Sequence, residues 1–144
     1  MNSLEQVVMP RVGDHYRHEV LISSDMVQAF VKLSGDDSPI HVDEAFAQER
    51  GYEGPICHGI LLTAFVSRIL GTWLPGKESI LKSIQMEFRN PAKYPCMVQI
   101  EVRVTKVFQS VGMIRLAIEI SHQQDEIIAR GLAECVVRTS EVAK

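Results

Sequence analysis

Two stretches of the chain carry the side chains that could do chemistry. The first is Ser34-Gly35-Asp36-Asp37-Ser38-Pro39-Ile40-His41-Val42-Asp43, with a carboxylate and an imidazole five positions apart. Gly35 can take positive φ, Asp and Ser favour turns, and Pro39 fixes its own φ, so this backbone is largely predetermined. A pinned loop can aim Asp36 and His41 at one point. A carboxylate and an imidazole sharing a water are what general acid–base chemistry requires near neutral pH. The competing reading is a turn with solvated acids. The second stretch, Gly54-Pro55-Ile56-Cys57-His58-Gly59, leads into an apolar helix. The first N–H groups of a helix have no intrahelical partner and carry the positive end of its dipole. A glycine there lets a ligand carbonyl come close, so the Gly59 N–H could serve as an oxyanion hole. Alternatively, Gly59 only permits close packing of helix on sheet.

Other candidates fail on context. Gly71-x4-Gly76-Lys77 imitates a phosphate loop, but it ends in Glu78, contains Pro75 and follows a helix rather than a strand. His15 and His18 would point to opposite faces of a strand and have no acidic or cysteine partner nearby, so no metal is expected. Cys57 beside His58 resembles a nucleophile pair, yet adjacent residues at a helix start do not face each other, and a small buried cysteine is the simpler reading.

These groups must be held by the rest of the chain. From His58 to Gly71 the sequence HGILLTAFVSRILG is apolar nearly all round, which predicts a buried central helix. It is too short to cross ~30 Å of hydrocarbon. Two shorter helices precede it. One starts at Ser24 or Asp25, carries Met26, Val27, Phe30 and Leu33 inward, and stops at Gly35; the other runs from near Asp43 to Gly51. Tyr16, Val20 and Ile22 predict an opening strand that His18 interrupts. The second half alternates with period two: Ile80, Ile84, Met86 and Phe88, with Lys82 the exception; Val98 to Val104; Ile114 to Ile120; and Ile127 to Val137. The last presents mostly small residues (Ala129, Gly131, Ala133, Cys135), a natural place for the central helix to dock. Short turns between them, including Gln123-Gln124-Asp125, imply an antiparallel sheet with one covered face. The predicted class is α+β, a long central helix wrapped by an antiparallel β-sheet.

Composition narrows the partners. A chain of 144 residues with 15 Lys plus Arg against 18 Asp plus Glu makes one mildly acidic domain, expected to span 1–144. No basic block exists to meet nucleic acid or an anionic membrane. Three cysteines without a CxxC pair argue against a disulfide framework. The opening MNSLEQVVMPRVGDHY lacks a signal peptide's basic start and apolar stretch, which sets the expectation of a soluble cytoplasmic protein.

Gly35-Asp36-x-Ser38-Pro39-Ile40-His41-x-Asp43, followed by His58-Gly59-Ile60-Leu61, resembles the hydratase motif of the MaoC-like dehydratases, hot-dog-fold proteins. The likeness is greatest to the small (R)-specific enoyl-CoA hydratases and covers roughly Ser24 to Val107, including Leu74-Pro75-Gly76-Lys77-x-Ser79-Ile80. Two positions depart from the family: Ser38 stands where Asn is usual, and Ile60 where Met is usual. Ser38 can make the same local side-chain-to-backbone bond, more weakly. Ile60 alters a packing or pocket-lining position and bears on acyl length.

The resemblance implies hydration of trans-2-enoyl thioesters to (R)-3-hydroxyacyl thioesters, and the reverse, without a cofactor. It implies that Asp36 and His41 activate the water, that Gly59 N–H meets the enolate-like oxygen, and that Ser67 orients Asp36; a helix hydroxyl bonded to its own backbone is the other reading of Ser67. The substrate would be an acyl-CoA or acyl-carrier-protein thioester. Lys77, Arg89 and Lys93 are the candidate cations for the carrier's phosphates, because they flank the predicted connections. A single unit of this length implies a homodimer. Two other readings stand beside the hydratase. A hot-dog thioesterase would carry a carboxylate on the long helix, and residues 58 to 71 contain none. A non-catalytic acyl-CoA-binding module would use the same pocket.

Overall fold

The strand centred on Val98, Ile100, Val102 and Val104 buries all four side chains and shows the logic of the sheet. In the computed structural model, which describes residues 7–123 and 125–138, five strands form one antiparallel sheet in the order β1-β3-β4-β5-β2. They are β1 (His15–Ile22), β2 (Ser79–Phe88), β3 (Cys96–Phe108), β4 (Met113–His122) and β5 (Ile127–Val137). Helices α1 (Ser24–Ser34), α2 (Pro39–Val42), α3 (Glu44–Glu49) and α4 (Gly59–Thr72) all lie between β1 and β2 in sequence. The described residues share one apolar core between α4 and the inner sheet face. The opposite face is laced with ion pairs, among them Arg17–Glu101 at 2.6 Å and Arg130–Glu119 at 3.0 Å. Exposed pairs of this kind contribute little stability each and keep that face wet.

The period-two reading holds for β4, where Ile114, Leu116, Ile118 and Ile120 are buried. It fails at two bulges. The pairing of β2 with β5 shifts between Leu81 and Ser83, so Leu81 and Ile84 pack inward while Ile80 is 57% exposed. Lys82, the exception in the pattern, sits at the extra residue that flips the alternation. A second shift, between Ile120 and Ser121, puts Ile128 rather than Ile127 in the core. The expected turn before β5 includes Gln124, which lies outside the described residues, as do 1–6 and 139–144.

Helix α1 is capped by the Ser23 hydroxyl, which accepts from Met26 N–H at 3.2 Å, and it ends at Gly35 with φ of 76°. Its inward face is Val27, Phe30 and Val31; Leu33, expected inside, is 86% exposed, and Met26 is also outward. Helix α3 starts at the Asp43 cap and is followed by Gly51 at φ 89°, as the turn residues predict. Helix α4 is buried along Leu61, Leu62, Val66, Ile69 and Leu70, but not all round. Ile60 is 63% exposed, and Ala64, Ser67, Arg68 and Gly71 share the open side. The small residues Ala129, Ala133 and Cys135 of β5 share the buried core with this helix. No described helix is long and apolar enough to cross a membrane.

His18 does not spoil β1. Its ring packs 5.0 Å from Trp73, on which Tyr16 also stacks at 4.9 Å, so an aromatic cluster closes the sheet where α4 ends.

Candidate active site

The loop after α1 is built by its own side chains. Ser34 Oγ accepts from Asp36 N–H at 3.1 Å, and Gly35 N–H donates back to Val31 O at 2.8 Å. Both N–H and hydroxyl of Ser38 then donate to the Asp36 carboxylate, at 3.3 and 2.8 Å. These two bonds, the hydroxyl first, hold the Asp36 carboxyl below the usual carboxylate range. The expected bond from the Ser38 side chain to nearby backbone is not the one made; its hydroxyl donates to the Asp36 carboxylate instead. Pro39 begins α2, a single turn within what the sequence reads as loop, and this turn carries His41.

His41 is oriented from two sides. Its Nδ1 lies 2.8 Å from the carbonyl of Ile56, so Nδ1 carries the proton and Nε2 carries the free lone pair. The hydroxyl of Tyr94 donates to the main-chain oxygen of His41. The strand-like segment before α4 is pinned in turn by Ile56 N–H to Ile40 O and by Cys57 N–H to Ala92 O. The helix start, α2 and the β2–β3 connection are thus tied into one frame.

The connecting piece is His58, which caps the N-terminus of α4 and is 2% exposed. Its Nε2–H donates to the main-chain oxygen of Asp36 at 2.9 Å, and its ring stacks on that of His41 with centres 3.8 Å apart. A carboxylate oxygen of Asp36 and one nitrogen from each imidazole lie within 4.8 Å of one another. These are metal-ligand types, but stacked rings project their lone pairs along near-parallel lines, while an ion held at ~2.0–2.1 Å needs them to converge. One nitrogen of each ring is also committed to a carbonyl. The spacing suits groups that share a small hydrogen-bonding molecule.

Asp36, His41, His58, Gly59, Ile60 and Phe88 line a cleft of about 430 Å³. Gly59 is the first residue of α4, so its N–H has no intrahelical acceptor. The packing reading of this glycine holds, because a Cβ there would lie 2.7 Å from the Phe88 ring.

The remaining predicted residues divide. Arg89 lines the cleft and pairs with Glu87 at 3.4 Å; Lys93 pairs with Glu53 at 3.7 Å in an adjoining groove that shares Tyr52, Ile56 and Pro91. Lys77 lies beyond the C-terminal end of α4, beside Pro75 and Val137, far from Gly59. Ser67 is exposed eight residues along α4, ~12 Å from Gly59 at 1.5 Å per residue. Within one chain, the hydroxyl on Asp36 belongs to Ser38 instead. Cys57 is buried, and burial pushes its thiol up to about 12, which leaves no thiolate for catalysis. Sequence reasoning quoted His58 without assigning it a role and missed Tyr94. A histidine in an otherwise apolar helix start was the available signal for the first; nothing local marks the second.

The model of the MaoC-like domain family matches residues 8–126. An (R)-specific enoyl-CoA hydratase of Aeromonas caviae is 35% identical over 127 residues, which cover 88% of this chain and 93% of the relative. A 3-hydroxybutyryl-CoA dehydratase of Methylorubrum extorquens is 34% identical, over 85% of this chain and 77% of its own. Among solved structures, the (R)-hydratase of A. caviae involved in PHA biosynthesis superposes with a TM-score of 0.86 at 33% identity, over 90% of this chain and 98% of that one. An R-hydratase of Pseudomonas aeruginosa matches with the same TM-score at 26% identity, over 94% and 86% of the two chains. With its sheet curled about one central helix and the hydratase motif at that helix's start, the chain is a hot-dog-fold member of the MaoC-like domain family.

Proposed function

We propose that the protein is a hydro-lyase, an (R)-specific enoyl-CoA hydratase working through Asp36, His41 and Gly59. The observation that carries the assignment of residues is the convergence of the Asp36 carboxylate and a ring nitrogen of His41 within 4.8 Å, in a cleft that also opens on Gly59. Asp36, ionised through its bonds from Ser38, and the Nε2 lone pair of His41 are both acceptors. One water can donate a hydrogen to each, which turns its oxygen lone pair toward C3 of a bound enoyl thioester. The new C–O bond forms at C3, the C2–C3 double bond moves electrons toward the thioester oxygen, and the enzyme-held proton returns to C2. The pair works as a unit, so its titration belongs to both groups. The Gly59 N–H, at the positive end of α4, stabilises the enolate-like oxygen, an interaction worth about 3–4 kcal/mol when such a donor is removed. The reaction moves one water and needs no redox cofactor.

Arg89 and Lys93 are the cations nearest the mouth and are assigned to the carrier's phosphates; Lys77 is too distant to join them within one chain. A homodimer is supported by the exposed Ile60 on α4 and Ile80 on the neighbouring edge strand β2. Its test is the sedimentation mass, for which a monomer is the contrary result. A cytoplasmic location belongs to the same proposal.

The test of the function is the product. Incubation with crotonyl-CoA should give (R)-3-hydroxybutyryl-CoA with no free thiol. Release of CoA thiol assigns a thioesterase, and tight binding without turnover of any acyl length assigns a binding module.

A further inference from the structure

We infer that His58 is a positioning residue that locks Asp36 and His41 into one unit, an inference resting on the catalytic reading of those two groups. His58 is a costly choice at its position. It caps α4 without any side-chain bond to the helix, where a serine or aspartate would satisfy an orphan N–H. Its Nδ1 is buried without a protein partner, a penalty an apolar side chain would not carry. What the imidazole does instead lies outside the helix. One edge donates Nε2–H to the Asp36 main-chain oxygen at 2.9 Å, and places that nitrogen 4.0 Å from carboxylate Oδ2. One face carries the His41 ring at 3.8 Å, and Phe30 meets the ring in a tilted contact with centres 4.8 Å apart.

The two imidazoles therefore hold opposite tautomers and opposite jobs. His41 has its proton on Nδ1 and its lone pair free on Nε2; His58 has its proton on Nε2 and its lone pair buried on Nδ1. His58 takes no proton from substrate. Its donor fixes the height of the Asp36 main chain, and its face fixes the plane in which the His41 lone pair points. The neighbours of its ring are Asp36, His41 and Phe30, with Cys57 Sγ against its own carbonyl at 3.4 Å.

Two substitutions separate the donor from the face. His58→Phe keeps a ring to stack and loses the donor; His58→Gln keeps an N–H and loses the face. A misplacement of ~1 Å costs on the order of 10²-fold, so His58→Phe should lower kcat by about that factor with KM within about 2-fold, while it still unfolds cooperatively on heating. His58→Gln should recover at least about 10-fold of that loss. A folded His58→Phe with wild-type kcat overturns the inference, as do two variants that both fail to fold, which would make His58 scaffold alone. Asp36→Asn is run beside them. If it keeps wild-type activity, the catalytic reading itself falls; if it is inactive while His58→Phe is unaffected, only the role of His58 falls.

Discussion

His41 donates from Nδ1 to the main-chain carbonyl of Ile56 across 2.8 Å, and that bond decides which ring nitrogen can act. A carbonyl only accepts, so the proton sits on Nδ1 and the lone pair on Nε2. NMR of protein labelled with 15N-histidine should show the Nδ1–H tautomer at His41 and the Nε2–H tautomer at His58. The reverse pattern at His41 would remove its Nε2 from the role of base.

Ser38 tunes the Asp36 carboxylate. Its hydroxyl and N–H lower the Asp36 pKa, so the carboxylate persists to lower pH than an ordinary aspartate. Any stability that shift contributes is present above the unfolded pKa and is lost as pH falls through the lower folded value. Ser38→Ala removes the larger of the two bonds and raises the pKa. The side-chain carboxyl of Asp36, followed by 13C NMR, should then titrate at higher pH than in wild type. A carboxyl titration that stays in place or moves down contradicts this account of Asp36.

Gly59 and Phe88 share one space. An alanine Cβ at 59 would meet the Phe88 ring at 2.7 Å, although alanine is otherwise the better helix residue. Gly59→Ala should cost about 1–3 kcal/mol by denaturant unfolding, the usual penalty of overpacking. Adding Phe88→Ala should make the Gly59→Ala step neutral or favourable. Additive losses in the double variant would refute the steric explanation.

Cys57 tests the thiol alternative. Burial pushes its thiol to about 12 and that of Cys135 to about 11, so neither is a thiolate near neutral pH. Cys57→Ser should keep kcat within about 3-fold, against the 10²-fold or greater loss expected of a nucleophile. Iodoacetamide should leave Cys57 unmodified in native protein at pH 8, by peptide mass mapping.

Much of this molecule was legible before its structure. The apolar run at Leu61 to Leu70 could only be a covered helix, and Gly35 and Gly51 each end a helix with positive φ. The loop at Asp36 and His41 could be read because its residues bond to one another locally: Ser34 to Asp36, Ser38 to Asp36, Asp43 to Phe46. What escaped depends on distant partners. The bulge that turns Ile80 outward is set by pairing with β5, more than fifty residues away in sequence. Tyr94 reaches His41 from the β2–β3 connection, and His58 reaches Asp36 across twenty-two positions. The outward side of α4 was unreadable for a different reason: Ile60 has the same composition signal whether it meets a sheet or an open cleft.

The central claim is that Asp36 and His41 together activate water for an enoyl thioester. Its most direct test is the initial rate of loss of enoyl-thioester absorbance with crotonyl-CoA for wild type, Asp36→Asn and His41→Ala, each confirmed as folded. The account predicts steady consumption by wild type and a loss of about 10²–10⁴-fold in each variant. Consumption by either variant within a few-fold of wild type would contradict it.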